Sequence, residues 1–192
     1  MDKKQFTVNG LACGVALLIS TSALANSYDV RLSPLVLFVG AIDAEVNIGI
    51  GNHLTIAPMF TYYSADENST YMSEEFSLKT FGARLYWHPK GVFSDGMYIS
   101  PFARQWNFNI TADNSLGTRA EGSISGTQIG ATIGYLFQWD NFNMSLGIGA
   151  STFNFDQTYE ATDSSGRKTN EEFDGPGSFS GISMDYSIGY AF

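Results

Sequence analysis

The carboxyl-terminal stretch of the chain, residues 182–192, alternates strictly between two kinds of side chain. Every even position from Ile182 to Phe192 is apolar or aromatic, and every odd position is Ser, Asp, Gly or Ala. Successive side chains of a β-strand point to opposite faces, so this stretch predicts a strand with one apolar face and one small, polar face.

The same period of two recurs along the chain and predicts a β-protein made of about eight strands. Turn residues separate the segments: Gly40 divides the first two, and tight turns are expected at residues 51–52 and 140–141. The alternating segments are 28–39, 42–50, 54–62, 80–87, 97–110, 128–139, 142–151 and 182–192.

The connections between these segments fall into two groups. Three polar stretches, 64–73, 111–122 and 156–177, predict long loops that all emerge at one end of the sheet. The connections at the other end, such as residues 51–52 and 140–141, are shorter. The connection at Gly40 is the exception, because it falls on the side of the long loops and is very short. Long loops at one end and short turns at the other are typical of membrane β-barrels.

The amino-terminal region reads as a targeting segment. A basic head at Lys3 and Lys4, an apolar run at 11–19 and small residues at 23–25 predict a secretory signal peptide over residues 1–25. The apolar run is too short for a membrane-spanning helix, which needs roughly 20 apolar residues. We therefore expect one exported domain over residues 26–192.

Composition narrows the class further. Cys13 is the single cysteine of the sequence. It suggests lipid attachment as an alternative, but the apolar run follows it instead of preceding it. Without residues 1–25 the chain has no thiol, and it is one unit more negative than the formal charge of −9 of the full sequence. An acidic chain of this kind is a poor candidate for binding nucleic acid.

The closing strand resembles the last strand of bacterial outer-membrane β-barrel proteins, which typically end in Phe after aromatic residues at alternate positions. The resemblance is to the small OmpX, OmpW and OmpA-transmembrane-domain type of barrel. It implies an all-β fold, an eight-stranded antiparallel transmembrane β-barrel of up-and-down meander type. It also implies the outer membrane as location, a periplasmic carboxyl terminus, and outer-membrane lipid and lipopolysaccharide as surroundings. In such proteins the barrel-insertion machinery reads the ending, which corresponds here to Tyr186, Ile188, Tyr190 and Phe192.

Aromatic residues mark both ends of the predicted barrel. Amphipathic rings favour the headgroup level of a bilayer, so two aromatic belts are expected. The periplasmic belt comprises Trp87, Trp139, Tyr190 and Phe192, and the outer belt comprises Tyr62, Phe153 and Phe155.

A soluble barrel of lipocalin type is the rival interpretation, because it has the same period with its apolar face turned inward. The polar face of these segments is mostly Gly, Ser, Thr and Asn, with few Lys or Glu. A water-facing surface normally carries more charge. The pattern therefore favours the membrane barrel, whose narrow lumen accommodates small polar residues.

Two places depart from this simple pattern. Pro58 cannot donate a ladder hydrogen bond, so its segment predicts a local bulge. Phe76 and Leu78 share the parity of Arg84 on the polar face. Either a bulge reverses the register between them, or these two residues lie above the membrane.

The charged residues of the predicted strands lie at the alternate positions that form the polar face. A charge facing lipid near the midplane costs about 2–4 kcal/mol, so we expect these side chains to face the lumen and pair with each other. They form either a structural salt-bridge network that fills the barrel or a gate along a solute path. The residues are Arg31, Asp43, Glu45, Arg84, Arg104 and Asp185.

Catalysis is not expected. Small outer-membrane barrels include lipid-modifying enzymes, which need a nucleophile beside a base at the outer leaflet. His53 and His88 are the two histidines, and both fall in or next to predicted periplasmic connections. Asp43 and Glu45 share a face, which leaves a purely acidic site open.

The predicted outer loops are the other candidate site. Their carboxylates could bridge through hard cations to lipopolysaccharide or to an extracellular ligand, although no loop has EF-hand spacing. The sequence thus predicts a non-enzymatic outer-membrane protein with a structural or cell-surface interaction role, without cofactor, metal or nucleic acid. A narrow passive channel for small or apolar solutes is the alternative, and a lipid-modifying enzyme is the third hypothesis.

Overall fold

The computed structural model describes residues 28–68, 72–114, 118–162, 168–172 and 177–192. The predicted signal peptide and its cysteine lie outside the described residues. The elements are β1 (Tyr28–Leu32), α1 (Pro34–Phe38), β2 (Ile42–Gly49), β3 (Leu54–Asn68), β4 (Met72–Trp87), β5 (Gly96–Asn114), β6 (Arg119–Trp139), β7 (Phe142–Thr162), β8 (Lys168–Glu172) and β9 (Gly177–Ala191).

The strands form a closed antiparallel ring. Strands β1 to β7 pair in chain order, and β9 pairs with both β7 and β1, which closes the sheet. Strand β7 pairs with β9 through residues 142–155 and with β8 through residues 158–162. Strands β8 and β9 therefore fill one position, and the ring has the eight antiparallel positions of an up-and-down meander. The fold class predicted from the alternation is confirmed.

The barrel has two distinct ends. We call the end that carries Tyr28 and Phe192 the terminal end; it also holds the connections at 50–53, 88–95 and 140–141. The opposite end, at which β3 to β7 extend furthest, is the ribbon end. The short connections predicted at residues 51–52 and 140–141 lie at the terminal end, whereas the short connection predicted at Gly40 lies at the opposite end.

The first hairpin differs from the prediction. The segment predicted as a strand over 28–39 is a strand only to Leu32 and then forms α1 at the ribbon end. Pro34 favours this change because its fixed φ and missing N–H suit the first position of a helix. Leu35, Leu37 and Phe38 of α1 are exposed, with Phe38 at 88%. In the described part of the chain, no helix has the length and apolar character needed to cross a membrane.

The bulge predicted at Pro58 is absent from the described pairing, so that prediction is wrong. Pro58 pairs with Ala83 in the uninterrupted register of β3 and β4, and the pairs with β2 on either side of it keep one register. A missing N–H removes a hydrogen bond but inserts no residue, so the register is unaffected.

The predicted outer loops are largely strands. Strands β3 and β4 stay paired as far as Asn68 and Ser73, within the stretch predicted as loop 64–73. Much of 111–122 and 156–177 likewise belongs to paired strands. Strand β6 has 21 residues, whereas about 10 suffice to cross a bilayer. Ladder hydrogen bonds need no apolar face, so a polar stretch can continue a strand into water.

Candidate functional site in the barrel interior

The two faces of the barrel wall have opposite chemistry near the terminal end. Ile133 and Ile148 lie on the outside, 47% and 54% exposed. Thr132 and Ser145 face the interior and are buried. This is the arrangement predicted for a membrane barrel, and it is the reverse of a soluble lipocalin-type barrel.

Five charged side chains fill the lumen, and we call them the charge plug: Asp29, Arg31, Glu45, Arg84 and Asp185. Arg31 Nε lies 2.5 Å from Asp29 Oδ2, and its Nη1 lies 3.5 Å from Glu45 Oε1. Arg84 Nη1 lies 2.6 Å from Asp185 Oδ2. All five side chains are buried. The plug combines adjacent strands with strands on opposite sides of the ring.

Two tyrosines tie the plug together. The Tyr86 hydroxyl donates to Glu45 Oε1 at 2.8 Å and accepts from Arg84 Nη1 at 3.0 Å. The Tyr98 hydroxyl donates to Asp185 Oδ2 at 2.7 Å. The two rings meet edge to face at 5.1 Å and are fully buried. They therefore add two packed rings to the charged side chains at this level of the lumen.

Asp43 and Arg104, the remaining charges of the predicted network, lie nearer the ribbon end and are more loosely paired. Arg104 Nη2 is 3.9 Å from Asp43 Oδ1. Asp43 accepts closer hydrogen bonds from Thr61 at 2.6 Å and Ser33 at 2.8 Å. All six predicted charges thus face the lumen, but only four of them belong to the plug.

A small polar cavity of about 20 Å³ separates the plug from Arg104. Arg31, Arg84, Asp43 and Asp185 contribute to its lining. Its size suits about one water molecule, which needs roughly 10–15 Å³. Within the described residues, no group of His, Cys, Asp and Glu is arranged to hold a metal ion.

His88 caps the plug at the terminal end. It directly follows β4, outside the strand, and is buried in a stack on the Tyr86 ring with centroids 5.7 Å apart. Its Nε2 lies 3.5 Å from Thr55 Oγ1, and His53 Nδ1 contacts its carbonyl oxygen at 2.9 Å. Burial, assisted by the positive charge of Arg31, lowers the pKa of His88 to about 4.

Several residues of the interior are not among the site residues predicted from the sequence. Asp29 lies on the polar parity of its segment but is not among the charges of the predicted network. Tyr86, Tyr98 and Asn143 are buried on the interior face. The sequence signal for these residues is their position on the polar face of the alternating segments. An aromatic residue on that face of a narrow barrel must fill the lumen.

The predicted periplasmic belt residues lie on the outside at the terminal end. Trp87, Trp139, Tyr190 and Phe192 are all exposed there, and Phe192 packs on Tyr190 at 5.1 Å. Tyr62 faces outward nearer the ribbon end, opposite Lys79. The residues of the predicted insertion signal share the outward face of the closing strand: Tyr186, Ile188, Tyr190 and Phe192.

Phe153 and Phe155 do not belong to an outer belt, and that prediction is wrong. They lie on the interior parity of β7, and Phe153 meets the interior Trp106 edge to face at 5.6 Å. They are part of an apolar lining between the plug and the ribbon end, which we call the apolar cup. Its residues are Phe76, Leu78, Trp106, Phe108, Phe153 and Phe155.

Comparison with solved structures supports the barrel fold. The chain is similar to a major outer membrane protein from Thermus thermophilus, with a TM-score of 0.54 and 12% identity over 88% of this chain and 100% of that one. It also matches the translocator domain of the autotransporter NalP from Neisseria meningitidis, with a TM-score of 0.44 and 13% identity over 95% of this chain and 66% of that one. The first likeness is to the fold of outer-membrane β-barrel proteins.

Comparison of the sequence itself places the chain in a family. No curated protein matches it. The family described as "Protein of unknown function (DUF3575)" matches residues 11–188, which is most of the chain. The chain therefore belongs to the DUF3575 family and has the fold of a small outer-membrane β-barrel.

Proposed function

We propose that this protein is an integral outer-membrane barrel with a closed lumen, which serves a structural or cell-surface interaction role. The buried charge plug is the observation that carries the proposal. Arg31, Tyr86, Tyr98 and Leu136 are each at most 1% exposed, although they come from four different strands. Side chains packed at this level of the lumen support a barrel that is closed to solutes.

The outer surface supports insertion into a membrane. Its exposed apolar residues extend from the aromatic group at Trp139 and Phe192 to Ile182 and Phe81 further up the wall. Such a band suits lipid tails. Closing the sheet pairs the backbone N–H and C=O groups of the edge strands, which lipid cannot do. Short turns usually face the periplasm, so we place the terminal end there.

The passive channel is the weaker alternative. A solute crossing the plug would have to separate Arg84 from Asp185, and leaving one buried charge unpaired costs about 3–5 kcal/mol. The lipid-modifying enzyme has less support, because His88 is packed against Tyr86 and His53 lies beside it at the terminal end. We therefore assign no catalytic step.

The ribbon end is the proposed contact surface. Acidic residues in 64–73, 111–122 and 156–177 are the candidates for an extracellular ligand or for cation-bridged lipopolysaccharide. The barrel-insertion machinery is the proposed partner of the closing strand, through residues 186–192.

Planar-bilayer recording of the refolded protein tests the closed lumen. We expect no stepwise conductance from the wild type, whereas Tyr86→Ala/Tyr98→Ala removes both rings and should open measurable steps. Stable steps from a folded wild-type sample, equal to those of the double variant, would favour the channel instead. Mobility in gels before and after boiling verifies that both samples are folded.

A further inference from the structure

The polarity of the barrel wall reverses partway along β4. On the side of β4 towards the terminal end, Phe81 faces outward and Arg84 faces inward. Closer to the ribbon end Ser77 takes the outward face, while Phe76 and Leu78 take the inward one. The register of β4 with β3 and β5 contains no extra residue. The reversal is therefore one of side-chain chemistry and not of strand direction or register.

Neighbouring strands reverse in the same way. On β5 Asn107 faces outward and Phe108 inward, and on β7 Asn154 faces outward and Phe155 inward. Phe108 pairs directly with Leu78, so the reversal occurs at one level of the wall. Above that level the barrel has a polar outside and an apolar inside, as in barrels that hold small ligands in water.

The apolar cup is lined by side chains whose surface is partly accessible. Its rings make a chain of contacts: Trp106 with Phe153 at 5.6 Å, and Phe153 with Phe155 at 5.7 Å. These side chains are only half-buried. Phe179, on the interior parity of β9, lies 5.4 Å from Phe153 and is 60% exposed. Strands β1 and β2 end below this level, so apolar surface remains accessible on that side.

Arg104 lies below the aromatic rings of the cup, and its hydrogen-bond donors are weakly paired or unpaired. Its guanidinium carbon is 5.8 Å from the Trp106 ring centre. Its polar contacts are long: 3.5 Å to Thr61 Oγ1, 3.6 Å to Met59 Sδ and 3.9 Å to Asp43. Its Nε has no hydrogen-bond partner among the described residues. A planar guanidinium of this kind matches the two oxygens of a carboxylate.

We infer that the apolar cup binds a long-chain carboxylate, with the tail among the aromatic rings and the carboxylate against Arg104. A cation below a lining of partly exposed rings fits an amphiphile with an anionic head better than a neutral hydrocarbon. The inference goes beyond the proposed function, since the cup lies above the plug and a conducting lumen would not alter the binding measured below.

Tryptophan fluorescence can test this site directly. The sequence has three tryptophans; Trp106 lies in the cup, whereas Trp87 and Trp139 face outward at the terminal end. In Trp87→Phe/Trp139→Phe, we expect dibromostearate to quench Trp106 saturably, because bromine quenches on contact. Dibromostearyl alcohol should bind about tenfold more weakly, which corresponds to losing one charged contact. A variant that retains Trp139 alone reports partitioning into detergent or lipid.

Matched variants separate the cup from the rest of the barrel. Leu78→Glu places a negative charge inside the cup and should abolish saturable quenching. Ser77→Glu places the same charge on the outer face of the same strand and should leave quenching unchanged. Arg104→Gln should weaken dibromostearate by about tenfold and leave the alcohol unaffected.

Three outcomes would overturn the inference. One is quenching of Trp106 that is no stronger or more saturable than that of Trp139. Another is equal affinity for the acid and the alcohol. The third is wild-type affinity in a folded Arg104→Gln protein.

Discussion

At the scale of single residues, the charge plug connects opposite walls of the barrel. Arg84 on β4 and Asp185 on β9 come from strands that lie on opposite sides of the ring, with β3, β2 and β1 between them. Tyr98 on β5 reaches the same carboxylate. Because these contacts join opposite walls, the plug resists collapse and opening of the barrel alike.

Pairing across the lumen leads to a non-additive prediction. Arg84→Met leaves Asp185 buried without its cation and should lower the free energy of unfolding by about 3–5 kcal/mol. Arg84→Met/Asp185→Leu removes both charges and should lose less than the single variant. Urea unfolding in lipid vesicles measures both.

The control is the exposed pair of Arg119 and Glu121, whose side chains are 54% and 50% exposed. Arg119→Met should change stability by no more than about 1 kcal/mol. Strictly additive losses from Arg84→Met and Asp185→Leu would show that the cross-lumen pair has no coupling.

His88 leads to a prediction about pH. Its pKa is about 4 in the folded protein, against 6.5 for the free side chain, because burial disfavours the imidazolium. As the pH falls, His88 is therefore protonated in the unfolded chain before it is protonated in the folded protein. The contribution of neutral His88 to the free energy of unfolding is complete above pH 6.5. It is lost as the pH drops towards 4, by an amount on the order of 3 kcal/mol.

Comparison with His88→Gln isolates this contribution from the carboxylates that titrate nearby. We expect the variant to have a flatter stability profile between pH 6.5 and 4 when both proteins are unfolded in urea. Parallel profiles for wild type and variant would assign the acid sensitivity to other groups.

At the scale of the elements, sequence alone predicts the section in which the two faces meet different solvents. Segments such as 128–139 and 142–151 have apolar residues on one parity, and the strands follow them. The stretches 64–73 and 111–122 read as loops because both faces there mix polar and apolar residues. The stretch that forms α1 is a short apolar run, which periodicity cannot assign to helix or strand.

The candidate site is predictable to a similar degree. Parity brings the charges to the interior, because a charge on the lipid side is costly. It cannot say which charges pair, since the Arg84–Asp185 contact depends on the closure of the ring and not on local sequence. The sequence signal for the apolar cup is that Phe76 and Leu78 lie on the same strand face as Arg84.

At the scale of the whole molecule, the barrel divides into two sections with opposite insides. The section near the terminal end has an apolar outside and a polar, charged lumen; the section near the ribbon end has a polar outside and the apolar cup. The plug lies in the first section, and the ligand site that we infer lies in the second. Closure of the ring depends on the pairing of β9 with β7 and β1.

This division predicts that much of the ribbon end is dispensable for folding. Phe155 pairs with Gly177, so a short Gly-Ser linker can replace residues 157–176 without removing a pair between β7 and β9. We expect the variant to insert into vesicles and to keep the mobility difference between unboiled and boiled gel samples. Deletion of residues 182–192, which removes pairs with both β7 and β1, is the control and should abolish folding. Failure of the linker variant to fold would mean that β8 and the far end of β7 contribute to closing the ring, and that the two sections are not independent.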